Sequence, residues 1–219
     1  MGVSTLGEAG VAGDRGSRRA PVQERSQETV ARVRAAAARL LARGVAAQAL
    51  TTAQIAAEAG LSVGGLYRFF ADKQAIVDAV ALAHLDALAA GLGERLMADL
   101  PDTPAAFLGA VLAGVAAYLE AHPDFLTLAY GTPEGGGRAI SAALFAQQAA
   151  SGDLAAMVRE ALQMLYGVEP DEAFDFRLRL AAQIGDRLLG HAFAQQGAER
   201  DRVLAEAGRI LAFTLFGPA

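Results

Sequence analysis

The sequence predicts an all-α protein, and three observations carry that prediction. Of the 219 residues, 52 are Ala, the strongest helix former, while β-branched residues are few. Apolar residues recur at spacings of three and four, as at Val30, Val33, Ala37, Leu40 and Leu41, and no segment alternates apolar with polar over the length of a strand. Gly, Pro and capping side chains then cut the chain into pieces of helix length. The length suits one large domain, or a small one joined to a medium one.

Residues 1–21 are rich in Gly and Arg and have no apolar run. They read as a disordered basic tail rather than a signal peptide. A helix is expected over 23–43, closed by Gly44. Thr51 or Thr52 caps a short helix over 53–59, and Gly60 ends it. Ser62 can cap a third helix reaching Phe69 or Phe70. Asp72 caps a long helix from Lys73 into the nineties, with Ile76, Val77, Val80, Leu85 and Leu88 facing inward. After the break between Pro101 and Pro104, a helix is expected over 103–122, and Pro123 with Asp124 opens a short one to Tyr130. Residues 132–137 read as a loop, including the Gly run between Glu134 and Arg138. That run lacks the preceding strand and the Lys-Ser/Thr of a phosphate-binding loop. Three more helices are expected over 138–166 (with a break near Ser151-Gly152), 171–195 and 199–216.

The longest uncharged apolar stretch, 103–119, is 17 residues and falls just short of a bilayer span. It reads as a buried helix, so no membrane partner is expected and the protein is placed in the cytoplasm. The absence of Cys excludes disulfides, thiolate metal sites and Cys nucleophiles. His84, His122 and His191 are far apart and lack metal-ligand spacing. No nucleophile–base pair or paired carboxylates stand out. Neither a metal, nor a cofactor, nor enzymatic activity is expected.

The net charge of −5 hides an uneven distribution, since residues 1–80 carry +3 and residues 81–219 carry −8. A weakly basic front and an acidic back suggest a polyanion-facing segment joined to something else. The front contains a short helix, a Gly turn and a capped second helix, the parts of a helix-turn-helix. Ile55, Ala56 and Ala59 would pack the first helix, Leu61 the corner, and Leu66, Phe69 and Phe70 the second. Val63, Gly64, Tyr67 and Arg68 are left outward. A helix entering the major groove reads bases with its N-terminal residues.

Residues 25–80 resemble the DNA-binding domain of the tetracycline-repressor family. The resemblance rests on the Arg-rich first helix, Gly44, Thr51-Thr52, Ile55-Ala56, Ala59-Gly60-Leu61-Ser62, Gly64, Leu66-Tyr67, Phe70 and Lys73. It implies double-stranded operator DNA as partner, with phosphate roles for Thr52, Tyr67 and Lys73. Thr52 offers a helix N-terminus, Tyr67 a phenol and Lys73 a point charge. Tyr67 could instead be a packing residue. Gln54 and Arg68 are the side chains best able to reach base edges, Val63 could meet a thymine methyl, and Arg68 could lie on a phosphate instead. Gly65 departs from the family, which more often has Thr, Ala or Ser there. Two successive Gly cost a helix interior about 1 kcal/mol each relative to Ala. Arg15, Arg18, Arg19 and Arg25 could form a minor-groove arm or a solvated tail.

The organisation expected is therefore a tail (1–21), a three-helix DNA-binding domain (22–78), and, through the long helix, a helical ligand-binding and dimerisation domain (79–219). The helix over 171–195 is apolar around most of its circumference and needs cover on two sides. The resemblance implies a homodimer through the last two helices as a four-helix bundle, with Leu180, Ile184, Leu188, Val203 and Ile210 at the interface. His84, Phe107, Tyr118, Phe125, Tyr130 and Phe145 are candidates for contact with a small apolar or amphipathic effector. Two functions compete: a repressor released by that effector, and a regulator or activator of the same fold without an inducer.

Overall fold

Capping side chains and left-handed glycines set most of the helix ends. The computed structural model of the protein describes residues 19–132, 138–140 and 153–218. Among these it forms α1 (Arg19–Ala42), α2 (Thr52–Ala59), α3 (Val63–Leu66), α4 (Lys73–Ala98), α5 (Pro104–Ala121), α6 (Pro123–Tyr130), α7 (Asp153–Tyr166), α8 (Glu172–Phe193) and α9 (Ala198–Phe216). The all-α architecture holds. Gly44 (φ 84°) closes α1, with Val45 N donating to Leu40 O and Gly44 N to Leu41 O. Gly60 (φ 67°) repeats the pattern after α2 through Leu61 N to Ala56 O. These crossed bonds satisfy carbonyls that the helix end would otherwise orphan, and they need a residue that tolerates positive φ. Asp72, Thr103 and Asp171 accept from the third helical N–H of α4, α5 and α8.

Three boundaries differ from the expectation. α1 begins at Arg19, so residues 19–21 of the expected tail are helical. Pro21 fits because a first-turn residue needs no N–H partner. Residues 1–18 lie outside the described residues. α3 is only four residues long and ends at Leu66, with turns carrying the chain on to Phe70. Gly64 and Gly65 are half of that helix and give it little reason to continue. Residues 138–140 are not helical, against the helix expected from 138.

Three apolar clusters make the core. The first joins Val33, Ala37 and Leu41 of α1, Ile55 and Ala56 of α2, Leu66 of α3 and Ile76 and Val80 of α4, and it also takes Leu128 of α6. The second joins Leu88 and Leu92 of α4 to Leu112, Val115 and Leu119 of α5, Phe125 of α6, Leu189 of α8 and Leu211 of α9. The third lies at the far end, around Leu96, Phe107, Leu162, Phe174 and Leu215. α4 contributes to all three and is the one continuous rod between the front of the chain and the back. By length and composition α4 and α5 could each cross a bilayer. Their apolar residues instead meet each other and α8 and α9 in the second cluster.

Candidate nucleic-acid interface and ligand cavity

The front face is built on α2 and α3. Thr51, not Thr52, caps α2: its hydroxyl accepts from Gln54 N at 3.2 Å, and Gln54 Oε1 accepts from Thr51 N at 2.9 Å. This reciprocal capping box leaves Thr52 at the first helical position. Its hydroxyl stands 3.3 Å from the Tyr67 hydroxyl. Tyr67 is half exposed, so its ring is not a core element and its phenol opens to solvent beside the α2 N-terminus. The first-turn N–H groups of α2 have no partner within the helix. Two adjacent hydroxyls at a helix N-terminus make a spot suited to a phosphate oxygen.

Ser62 caps α3 by accepting from Gly65 N at 3.0 Å. Val63, Gly64 and Arg68 are exposed. Gln54 is exposed too, but its amide oxygen is committed to the cap. A bidentate adenine contact uses both ends of the amide, so base reading by Gln54 would open the capping box. Lys73 is not a free point charge. Its Nζ donates to Gln48 O at 2.9 Å and Ala47 O at 3.4 Å, which ties the start of α4 to the loop before α2. A third N–H of the ammonium remains for a phosphate. Glu58, at the other end of α2, accepts from Arg39 Nε at 2.7 Å and Arg43 Nη1 at 3.2 Å. Those hydrogen bonds hold its carboxyl below the usual range and clamp α2 onto α1.

A Cβ built on Gly65 would stand 3.2 Å from Ser62 Oγ, the cap itself, while one on Gly64 meets nothing within 4 Å. Gly64→Ala is therefore the substitution expected to stabilise the DNA-free protein, by up to about 1 kcal/mol. Urea unfolding checks the sign, and a destabilised variant would show that position 64 is not helical in solution.

Among the described residues the back half holds a half-open apolar cavity of about 290 Å³, lined from α4, α5, α6, α7, α8 and α9. Phe125 and Tyr130 line it, with Leu85 and Leu88 from α4. Three other candidates stand elsewhere. Phe107 is buried in the far cluster, its ring edge-on to Tyr166. His84 and Tyr118 lie behind Phe125 rather than in the wall. Phe145 lies outside the described residues. His84 Nε2 is 2.8 Å from Asp124 Oδ2 and its Nδ1 is 2.9 Å from Tyr118 Oη, which joins α4, α5 and α6. Burial raises the Asp124 carboxyl, but its hydrogen bond with His84 and backbone N–H groups at the α6 N-terminus bring it below the usual value. His122 Nδ1 donates to Tyr118 O at 2.8 Å, a helix-end contact.

Sequence reasoning missed the cavity's polar end. Arg138 Nη2 donates to Asp186 Oδ1 at 2.5 Å and Oδ2 at 2.7 Å, and Tyr130 Oη donates to Asp186 Oδ1 at 3.2 Å. Burial, together with the Asp186 charge, pushes the Tyr130 phenol above its ordinary value, so it stays a donor. Gly190 makes room for this ring: a Cβ there would come within 2.9 Å of Tyr130 Cδ1.

α8 carries two apolar stripes. Phe174, Leu178, Ala181 and Leu189 are buried in the core. Phe176 and Leu180 are exposed, and Ile184 and Leu188 continue that line half-buried. On α9, Val203 and Ile210 are half-buried while Phe213 and Phe216 are exposed. Phe176 and Phe213, at 60% and 62% exposure, are the rings this face leaves most open, and they were not among the expected interface residues.

Comparison with known proteins agrees with both halves. The description "Bacterial regulatory proteins, tetR family" matches residues 33–80, and "Tetracyclin repressor-like, C-terminal domain" matches residues 103–219. A search of curated proteins finds no match. Among solved structures, a TetR-family transcriptional regulator from Streptomyces coelicolor is 25% identical, with a TM-score of 0.66 over 85% of this chain and 97% of that one. RolR in complex with resorcinol is 18% identical, with a TM-score of 0.62 over 89% of this chain and 96% of that one. FadR from Bacillus subtilis in complex with stearoyl-CoA is 15% identical, with a TM-score of 0.57 over 86% of this chain and 98% of that one. The last two share the fold. A capped helix-turn-helix ahead of a cavity-bearing helical half, with both halves matched, makes this chain a member of the tetR family of bacterial regulatory proteins and a DNA-binding regulator of transcription.

Proposed function

We propose that the protein is a homodimeric cytoplasmic repressor, bound to a palindromic operator when empty and released when a small apolar or amphipathic effector fills the cavity. The observation that carries this is α4. Its first turn holds Lys73 against the loop before α2, and three turns later Leu85 and Leu88 form cavity wall. A ligand that shifts the wall moves the rod on which the DNA-binding half is mounted. Phosphate contacts fall to Thr52, Tyr67 and Lys73, and groove contacts to Val63, Gly64, Gly65 and Arg68 near the Ser62 cap. The exposed stripe on α8 and α9 is the dimer face, with Leu180, Ile184, Leu188, Val203 and Ile210 joined by Phe176 and Phe213.

Selection of DNA fragments by the purified protein tests the reading. Two half-sites with inverted symmetry, centred about one helical turn or a multiple apart, are expected. Lys73→Gln should weaken all sequences alike and reduce the salt slope by about one. Lower affinity with the slope unchanged would mean that Lys73 serves only the carbonyl tie. A single unpaired half-site, or binding indifferent to salt, would contradict the proposal.

A further inference from the structure

Residues 138–140 are a short non-helical strap that touches both halves of the molecule. Arg138 Nη2 donates to both oxygens of Asp186 on α8, and Arg138 Nε donates to Ala129 O on α6 at 3.2 Å. Ala139 N donates to Leu128 O of α6 at 2.9 Å, and Ala139 O accepts from Gln74 Nε2 of α4 at 3.0 Å. Ile140 packs against both the front cluster and the cavity cluster. Gln74 Nε2 also donates to Asp78 Oδ1 at 2.9 Å, so both N–H groups of the amide are used. Gln74 is exposed, so these two bonds rather than burial hold its side chain in place.

We infer that Gln74 is the positioning residue that carries a displacement of the cavity's polar end to the first turn of α4. The regulatory meaning of this link rests on the reading of the cavity as the effector site, whereas the link itself does not. Arg138 and Ala139 share a planar peptide unit, so a shift of Arg138 relative to α8 moves the carbonyl that Gln74 holds. Asp72 caps α4 by accepting from Ala75 N at 2.8 Å, which keeps the turn carrying Gln74 intact as it moves. One residue before Gln74, Lys73 Nζ holds Gln48 O in the loop ahead of α2. The route is thus Asp186, Arg138, Ala139, Gln74, Lys73 and then the helix-turn-helix. α4 and α6 also join the cavity to the front, but by apolar packing, which has no preferred direction. The hydrogen bond to Ala139 O is directional and fixes one amide against one carbonyl. A ligand head that competes for either Asp186 or Arg138, whatever its charge, disturbs the strap at its α8 anchor.

The test uses the full-length protein with neither ligand nor DNA. Asp186→Ala removes the strap's anchor on α8, and Gln74→Met removes the donor to Ala139 O while keeping a side chain of similar length. Amide hydrogen exchange is read at Val77 and Asp78, whose N–H groups close the first turns of α4. Asp186→Ala is expected to speed this exchange by at least about twofold, the low end of coupling within one hydrogen-bond network. In the Gln74→Met background the same substitution should add nothing. In the Gln74→Lys background, which keeps an N–H donor, the response should return. Circular dichroism confirms that each variant is folded, and Asp186→Asn, which keeps the shape of the side chain, should shift exchange in the same direction. Exchange left unchanged by both Asp186 substitutions would overturn the inference. So would an equal response in the Gln74→Met background. If exchange responds as expected but Asp186→Ala keeps wild-type operator affinity, the link stands and its use in induction falls.

Discussion

Replacing Phe176 and Phe213 together by Asp should give a folded monomer of 22.6 kDa whose operator affinity is lower by roughly 100-fold or more. Both rings are more than half exposed in the single chain, so their loss removes little from its own core. Burying such a ring against a partner contributes about 1.5–3 kcal/mol. A two-fold interface counts every ring twice, and each carboxylate put there is buried twice. A monomer has one recognition element and loses the second half-site, which is where the large factor comes from. Sedimentation and operator titration read the two effects independently. In wild type the thermal midpoint should rise with protein concentration, and in the variant it should not. A variant that still sediments as a dimer with wild-type operator affinity would remove α8 and α9 from the interface.

The second large effect is coupling between cavity and operator. A ligand lowers DNA affinity only by binding the DNA-incompetent arrangement more tightly. Three links run from the cavity to the front half. α4 is the rod described above. α6 places Phe125 in the cavity wall and Leu128 in the core beside α1. Residues 138–140 place Arg138 and Ile140 on the cavity, while Ala139 O accepts from Gln74 Nε2 at 3.0 Å, one residue past Lys73. In the proposed mechanism, ligand-driven displacement of any of these would shift the base of α4 and so the spacing of the recognition elements in the proposed dimer. Coupling of about 1–3 kcal/mol, or 5- to 150-fold, is expected.

The helix-turn-helix was legible because its signals are local. The caps at Thr51, Ser62 and Asp72 and the left-handed Gly60 act over three or four residues, which a sequence displays directly. The length of α3 was misjudged because a good cap outweighed two glycines in the reading, whereas the chain gives the helix one turn only. The capping-box role of Gln54 follows from Thr51 three residues before it and was within reach. The cavity's polar end was not. Arg138 and Asp186 are 48 residues apart, and His84 is 34 from Tyr118 and 40 from Asp124. No periodicity marks such pairs, since only the packing of α4, α5, α6 and α8 brings them together. Phe107 and Phe125 look alike in sequence, each an aromatic on an apolar helix. Tertiary packing alone sends one to the far core and the other to the cavity.

If cavity and operator are thermodynamically linked through α4, the linkage must be reciprocal. The affinity of decanol, taken as an amphipathic probe of the apolar cavity, is measured by calorimetry with the free protein and with the protein saturated by its selected operator. Operator affinity is then measured with and without saturating decanol. Each partner is expected to weaken the other by the same factor, between about 5 and 150. Equal decanol affinities in the presence and absence of operator, with the alcohol bound in both, would contradict it.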